Sequence, residues 1–228
     1  LLLLGLLSRF HRLSTPDAAR KDELASGRAV SGYINGRFFV DDSPPLGNIL
    51  LAVAASAASY DGTHSFADDR PLHFSVPIAG MRALPAALGA ATPPLLYLLA
   101  RELGCSVVAA LLVGGLALLD AALLVSSRAL STAPLLHFVE MLQLWAVLRA
   151  GRLLRDDGQR SLSILTICGV AVGVGIGTSW DAVAFWLVVL VEAALTLGAH
   201  SAARPKQAVT PLRREAFRWL CLLVAVPL

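Results

Sequence analysis

Long blocks of Leu, Ala and Val, separated by short polar stretches, make up most of this chain. A helix needs about 20 apolar residues to cross the hydrocarbon core of a bilayer. Blocks of that order predict spanning helices at about 78–100, 107–125, 131–148, 161–178 and 180–199. Partial blocks at residues 1–7 and 217–228 are too short to cross, so both ends are expected to stop within a span, making the chain a fragment truncated at both ends. A shorter apolar run at about 46–59 suits an interfacial or re-entrant helix, and the Pro44-Pro45 pair before it can start a helix but not continue one. Between about 9 and 45 lies a polar loop. The predicted architecture is all-α, a polytopic transmembrane helix bundle.

Composition supports this pattern. The chain has 228 residues, of which 56% are hydrophobic and 15% charged, with a mean hydropathy of +0.68. A soluble domain carries roughly 25% charged residues, and the apolar positions here fall in continuous runs rather than one-sided stripes, as lipid-facing helices require. The net charge of +3 is too small to suggest a nucleic-acid partner. Cys105, Cys168 and Cys221 stand apart, with neither metal spacing nor a disulfide framework, and read as inert thiols.

Charge does fix a topology. Arg149, Arg152, Arg155 and Arg160 crowd one loop, and Arg204, Lys206, Arg213 and Arg214 crowd the next long one, two spans later. The positive-inside rule places both on the cytoplasmic side. Counting back puts residues 126–130, 60–76 and the 9–43 loop on the opposite face. That loop holds six Lys/Arg and five Asp/Glu, so parity places it there and charge does not. Asp22, Glu23, Asp41, Asp42, Arg82 and Arg128 then gather at one membrane face, where ionisable groups mark a candidate site.

Several tempting motifs carry little. Lys21-Asp22-Glu23-Leu24 spells a retention signal, but receptors read it only at a C-terminus. Gly169, Gly173 and Gly177 form a helix-packing face rather than a phosphate loop. His64 and His73 share a loop without acidic or thiolate companions at ligand spacing, so no metal site is expected. Glu140 and Glu192 lie inside spans and read as helix-partnering groups.

The polar segments occur in a particular order. Lys21-Asp22-Glu23 is followed by Tyr33, then by Asn35-Gly36-Arg37-Phe38-Phe39-Val40-Asp41-Asp42-Ser43-Pro44-Pro45-Leu46-Gly47. Tyr60-Asp61-Gly62, Met81-Arg82, Leu119-Asp120-Ala121 and Ser126-Ser127-Arg128 come next. From about Asp22 to Leu195 this series resembles the protein O-mannosyltransferase family, membrane enzymes of the GT-C glycosyltransferase type. The Asp-Asp-Ser before the Pro pair is most similar to the protein O-mannosyltransferase 1 branch. The resemblance departs at Ser43, Ala121, Ala133-Pro134 and Ser179, where the family often has His, Asn, an acid followed by Ser, and Lys.

The resemblance implies a reaction. Mannose would pass from dolichyl phosphate mannose to a Ser or Thr hydroxyl of a protein, with inversion, in the lumen of the endoplasmic reticulum. Asp22 would be the catalytic base and Glu23 would position the acceptor. Arg82, and with it Arg128, would hold the donor phosphate, with Asp41, Asp42 and Asp120 supporting the site. No cofactor is implied beyond the donor substrate. The partners implied are membrane lipids, the lipid-linked donor, Ser/Thr-containing acceptor proteins and a second protein O-mannosyltransferase in a heterodimer. Two rival readings are a non-catalytic subunit of the same fold and a transporter. The latter requires inverted repeats, and the chain shows no convincing one.

Overall fold

The structure, a computed structural model, describes residues 1–64, 66, 76–156 and 158–202. Ten helices account for the regular structure of these residues. They are α1 (Leu2–Phe10), α2 (Glu23–Ile34), α3 (Leu46–Ala57), α4 (Ile78–Met81), α5 (Ala83–Glu102), α6 (Val107–Leu119), α7 (Ala121–Ser127), α8 (Ala133–Asp156), α9 (Gly158–Thr178) and α10 (Asp181–Ala202). The expected partial span at 217–228, the basic cluster from Arg204 to Arg214, Cys221 and His73 lie outside the described residues.

The expected blocks reappear as helices with shifted ends. Block 78–100 divides into the single turn α4 and the 20-residue α5. Block 107–125 breaks at Asp120, which leaves the helical region at φ −62° and ψ 119° and whose carboxylate accepts from the Leu123 N–H at 2.8 Å. An Asp that caps a new helix ends the preceding one, because its side chain replaces the missing intrahelical acceptor. The two pieces, α6 and α7, are bent by 56°. Among the described residues, α5 is the one helix both long and apolar enough to cross a membrane alone, with the α6–α7 pair a second if it is one bent span.

α5 packs against α1, α6 and α8, and α8 in turn against α9 and α10. Two cores result. One joins Val30 of α2 and Leu51 and Ala55 of α3 with Tyr60, Phe66, Met81 and Leu130; the other joins Ala146 and Val147 of α8 with Cys168, Val172, Val189 and Ala193. α1 approaches α5 closely at Gly5, where a Cβ would lie 2.8 Å from the Ala90 carbonyl oxygen. That carbonyl has lost its helical N–H partner to Pro94, since proline has no amide hydrogen. Leu3 and Leu7 of α1, Leu112 and Leu116 of α6 and Val188 and Val191 of α10 are exposed, an outward apolar surface of the kind lipid solvates.

The helices alternate between two polar ends. At one, Glu102 at the end of α5 meets Arg149 and Arg152 of α8, both at 3.2 Å. At the other, the loop before α2, the start of α5 and the α7–α8 loop converge.

Candidate functional site

The centre of that second end is the Glu23 carboxylate, at the first position of α2. It is fully buried and so is its partner Arg82. Arg82 Nε donates to Glu23 Oε1 and Arg82 Nη2 to Oε2, both at 2.7 Å, a two-bond fork that matches guanidinium to carboxylate. Two backbone amides complete the carboxylate's shell: Leu130 N–H at 2.7 Å on Oε1 and Arg20 N–H at 2.8 Å on Oε2. Burial alone would raise this carboxyl's pKa. The hydrogen bonds from Arg82, Arg20 and Leu130 outweigh it, and the net direction is down from the ordinary value of 4.5.

Arg82 is equally committed. Nη1 donates to the carbonyls of Leu13 and Pro16, and Nη2 also to that of Ala18. A guanidinium has five N–H donors, and all five have protein acceptors here. None is left for a phosphate. The expectation that Arg82 holds the donor phosphate, and that Glu23 faces the acceptor, meets a geometry in which each is occupied by the other. Together they tie the 13–20 loop, α2, the α4–α5 junction and the α7–α8 loop into one unit.

Asp22, one residue earlier, is placed differently. It is the N-cap of α2, its side chain is 50% exposed, and no cap hydrogen bond uses its carboxylate. Among the described residues it pairs with Arg20 Nε at 3.4 Å. Of the adjacent pair Asp22 and Glu23, Asp22 is the exposed one.

The remaining expected residues are spread around this end. Arg128 donates from Nη1 to the Ser8 carbonyl and from Nη2 to those of His11 and Arg12, where it closes the C-terminus of α1. Asp41 accepts from Asn48 Nδ2 at 2.6 Å and from the Ser43 amide and hydroxyl. The Asp42 carbonyl accepts from Trp180 Nε1 at 3.2 Å, which links the 37–43 loop to the α9–α10 turn. Asp120 caps α7. Among the described residues no group of His, Cys, Asp or Glu is arranged to hold a metal ion.

A pairing that the sequence does not show shapes the same region. Tyr60 Oη and Ser31 Oγ lie 2.8 Å apart, and both donate to the His64 carbonyl, so the loop after α3 is pinned to α2. Burial raises the Tyr60 phenol, against the lowering effect of Ser31. Beside this lock lies a cleft of about 700 Å³, bounded by α2, the 37–42 segment and Gly62–His64. A Tyr and a Ser 29 positions apart carry no sequence mark of being partners.

A family model described as dolichyl-phosphate-mannose-protein mannosyltransferase matches residues 1–228. The chain belongs to this family. It is 34% identical over 197 residues to protein O-mannosyl-transferase 1 of Homo sapiens, covering 84% of this chain and 26% of that protein. With protein O-mannosyl-transferase 2 of Danio rerio it shares 35% over 140 residues, 61% of this chain and 18% of that protein. The chain thus spans about a quarter or less of these curated mannosyltransferases. The solved S. cerevisiae protein O-mannosyltransferase Pmt1-Pmt2 complex bound to the sugar donor superposes with a TM-score of 0.91, over 99% of this chain and 31% of that one. At 23% identity this likeness establishes the fold, the all-helical GT-C membrane architecture expected from the mannosyltransferase resemblance.

Proposed function

We propose that the chain is the catalytic N-terminal part of a protein O-mannosyltransferase that moves mannose from dolichyl phosphate mannose to Ser or Thr hydroxyls. The observation that carries this reading is the division between the two adjacent acids: Glu23 is consumed in a buried clamp, and Asp22 stands half-exposed on the element that clamp holds. An acid fixed in place beside solvent suits a general base. The acceptor oxygen attacks the anomeric carbon as Asp22 takes its proton, and the bond to the phosphate oxygen breaks with its electron pair leaving on dolichyl phosphate. Attack opposite the leaving group inverts the sugar carbon.

Glu23 and Arg82 are positioning residues in this scheme. Their four-way clamp sets where the first turn of α2 lies, and therefore where Asp22 points. Arg128, at the same end, is the better placed of the two arginines to meet the departing phosphate, since Arg82 has no N–H to offer. Asp41 and Asp120 support the site by ordering the 41–43 turn and the start of α7, and Asp42 through its backbone. The helices cross the membrane of the endoplasmic reticulum several times, with Asp22 on the lumenal face, residues 46–59 at the interface, and a second protein O-mannosyltransferase as partner. The yeast relative was solved as a Pmt1-Pmt2 complex with its sugar donor, which supports both the pairing and the donor.

The test is mannose transfer from dolichyl phosphate mannose to a Ser/Thr-rich peptide by the full-length parent co-expressed with candidate partners, wild type against Asp22→Asn. Transfer should vanish in the variant while assembly and folding persist. Equal transfer in both would assign the chemistry to the partner and make this chain a supporting subunit.

A further inference from the structure

Arg82 has a carboxylate to meet its charge, and Arg9 has none. Arg9, in the last turn of α1, is fully buried. Its Nη1 donates to Ser8 Oγ at 3.2 Å, while Nε and Nη2 have no acceptor among the described residues. No carboxylate of the described residues offsets its charge. A guanidinium does not shed its proton in a protein, so the group cannot become neutral by itself. An interior charge left without a counter-charge is costly.

Beside this side chain, α5, α7 and α8 leave a cavity of about 10 Å³, bordered in part by Gly89, Thr92, Ser127 and His137. Gly89 and Ser127 join the two features: a Cβ on Gly89 would lie 3.2 Å from Arg9 Nε and 2.8 Å from Ser127 Oγ. His137 Nδ1 is a second buried polar atom without a partner among the described residues. The Ser127 and Thr92 hydroxyls give their protons to the Leu124 and Leu88 carbonyls, so Arg9 and His137 hold the donors left over. The surroundings are electropositive. The cavity touches the start of the 24-residue α8 at Pro134, and a helix N-terminus carries partial positive charge. Asp120, the acid that precedes α7, is exposed, and its carboxylate accepts from the Leu123 amide.

We propose that this cavity binds a halide-sized monovalent anion, chloride in water, as the counter-ion of Arg9. Size selects the ligand. One water-sized particle needs about 10–15 Å³, and a single-atom anion is only slightly larger. A phosphate or carboxylate group, with several oxygens, is too large, and water fits but brings no charge. The anion fixes the last turn of α1 against α5 and α7. From that turn the chain runs into the 13–18 segment whose carbonyls hold Arg82. The site is separate from Asp22 and independent of the catalytic reading given above.

The test uses the full-length protein with its partner, purified in detergent. The unfolding midpoint is followed as sodium gluconate is replaced by sodium chloride at constant ionic strength. It should rise with chloride and level off, as binding to the folded state requires. Bromide should act like chloride, and Arg9→Met should show no halide response. Chloride-35 NMR reads binding directly: the wild type should broaden the chloride line, bromide should reverse this, and Arg9→Met should abolish it. If Arg9→Met does not fold, His137→Phe, which removes the second donor, makes the comparison and should weaken the broadening. A midpoint indifferent to chloride overturns the proposal, as does equal broadening by wild type and a folded variant. Stabilisation by phosphatidylglycerol over phosphatidylcholine in nanodiscs, lost in Arg9→Met and with no chloride effect, also overturns it and assigns Arg9 to a lipid phosphate.

Discussion

Replacing Glu23 with glutamine preserves the shape of the side chain and removes its charge. In the wild type the carboxylate accepts four hydrogen bonds, two from Arg82 and one each from the Arg20 and Leu130 amides, all between 2.7 and 2.8 Å. A Gln side chain has one acceptor oxygen and presents an NH2 to the rest. Of the two sides of the shell, one must face donor to donor, and the Arg82 guanidinium is left in the interior without a counter-charge. Removing one partner of a buried pair costs about 3–5 kcal/mol, mostly because the other charge remains. We expect Glu23→Gln to destabilise by that amount, measured from the unfolding midpoint of the purified full-length protein in detergent. Arg82→Met should cost a comparable amount, and the double variant much less than the sum, with a coupling of about 2–3 kcal/mol. A loss below about 1 kcal/mol in Glu23→Gln, or additive losses in the cycle, would refute the clamp. The pH dependence follows from the same contacts. Because the folded carboxyl titrates below the free value of 4.5, the unfolded state binds the proton more readily. The clamp's contribution is therefore complete above the unfolded value and fades as pH falls through the lower folded one. Glu23→Gln should remove that acid-side slope.

Three further outcomes are expected from the same measurement. Gly5→Ala should cost about 1–3 kcal/mol through overpacking, because the new methyl would sit 2.8 Å from the Ala90 carbonyl oxygen, a backbone atom that cannot move aside. Asp120→Ala should cost about 1 kcal/mol by removing the cap of α7; Asp120→Asn, which still accepts from Leu123, should restore most of it. Tyr60→Phe should cost about 1 kcal/mol, since the Ser31 hydroxyl keeps its bond to the His64 carbonyl and no buried group is orphaned.

Much of the fold was legible from hydropathy, because a helix surrounded by apolar solvent needs a continuous run of apolar residues and nothing else. The blocks at 131–148, 161–178 and 180–199 reappear as the helices α8, α9 and α10, with most ends moved by three residues or fewer and α8 running on to Asp156. The break at Asp120 was not legible as a bend. A single Asp within an apolar run reads equally as a tolerated polar residue or a cap, and only the backbone angles distinguish them. The acidic pair Asp22-Glu23 was visible, as was the importance of Arg82. Which of the two acids is buried was not, because adjacent residues on a helix start point in different directions and the sequence does not say which one meets the interior.

The apolar blocks, the polar ends between them and the ordered acids and arginines belong to the sequence by itself, since each depends on local composition and short spacing. Which charges are spent on one another is decided only by tertiary structure. Glu23 meets Arg82 from 59 positions away and the Leu130 amide from 107. Those contacts exist because α2, the α4–α5 junction and the α7–α8 loop are packed to one point, where burial excludes water and makes each charge the counter-charge of the other. That packing turns one acid into a structural clamp and leaves its neighbour exposed.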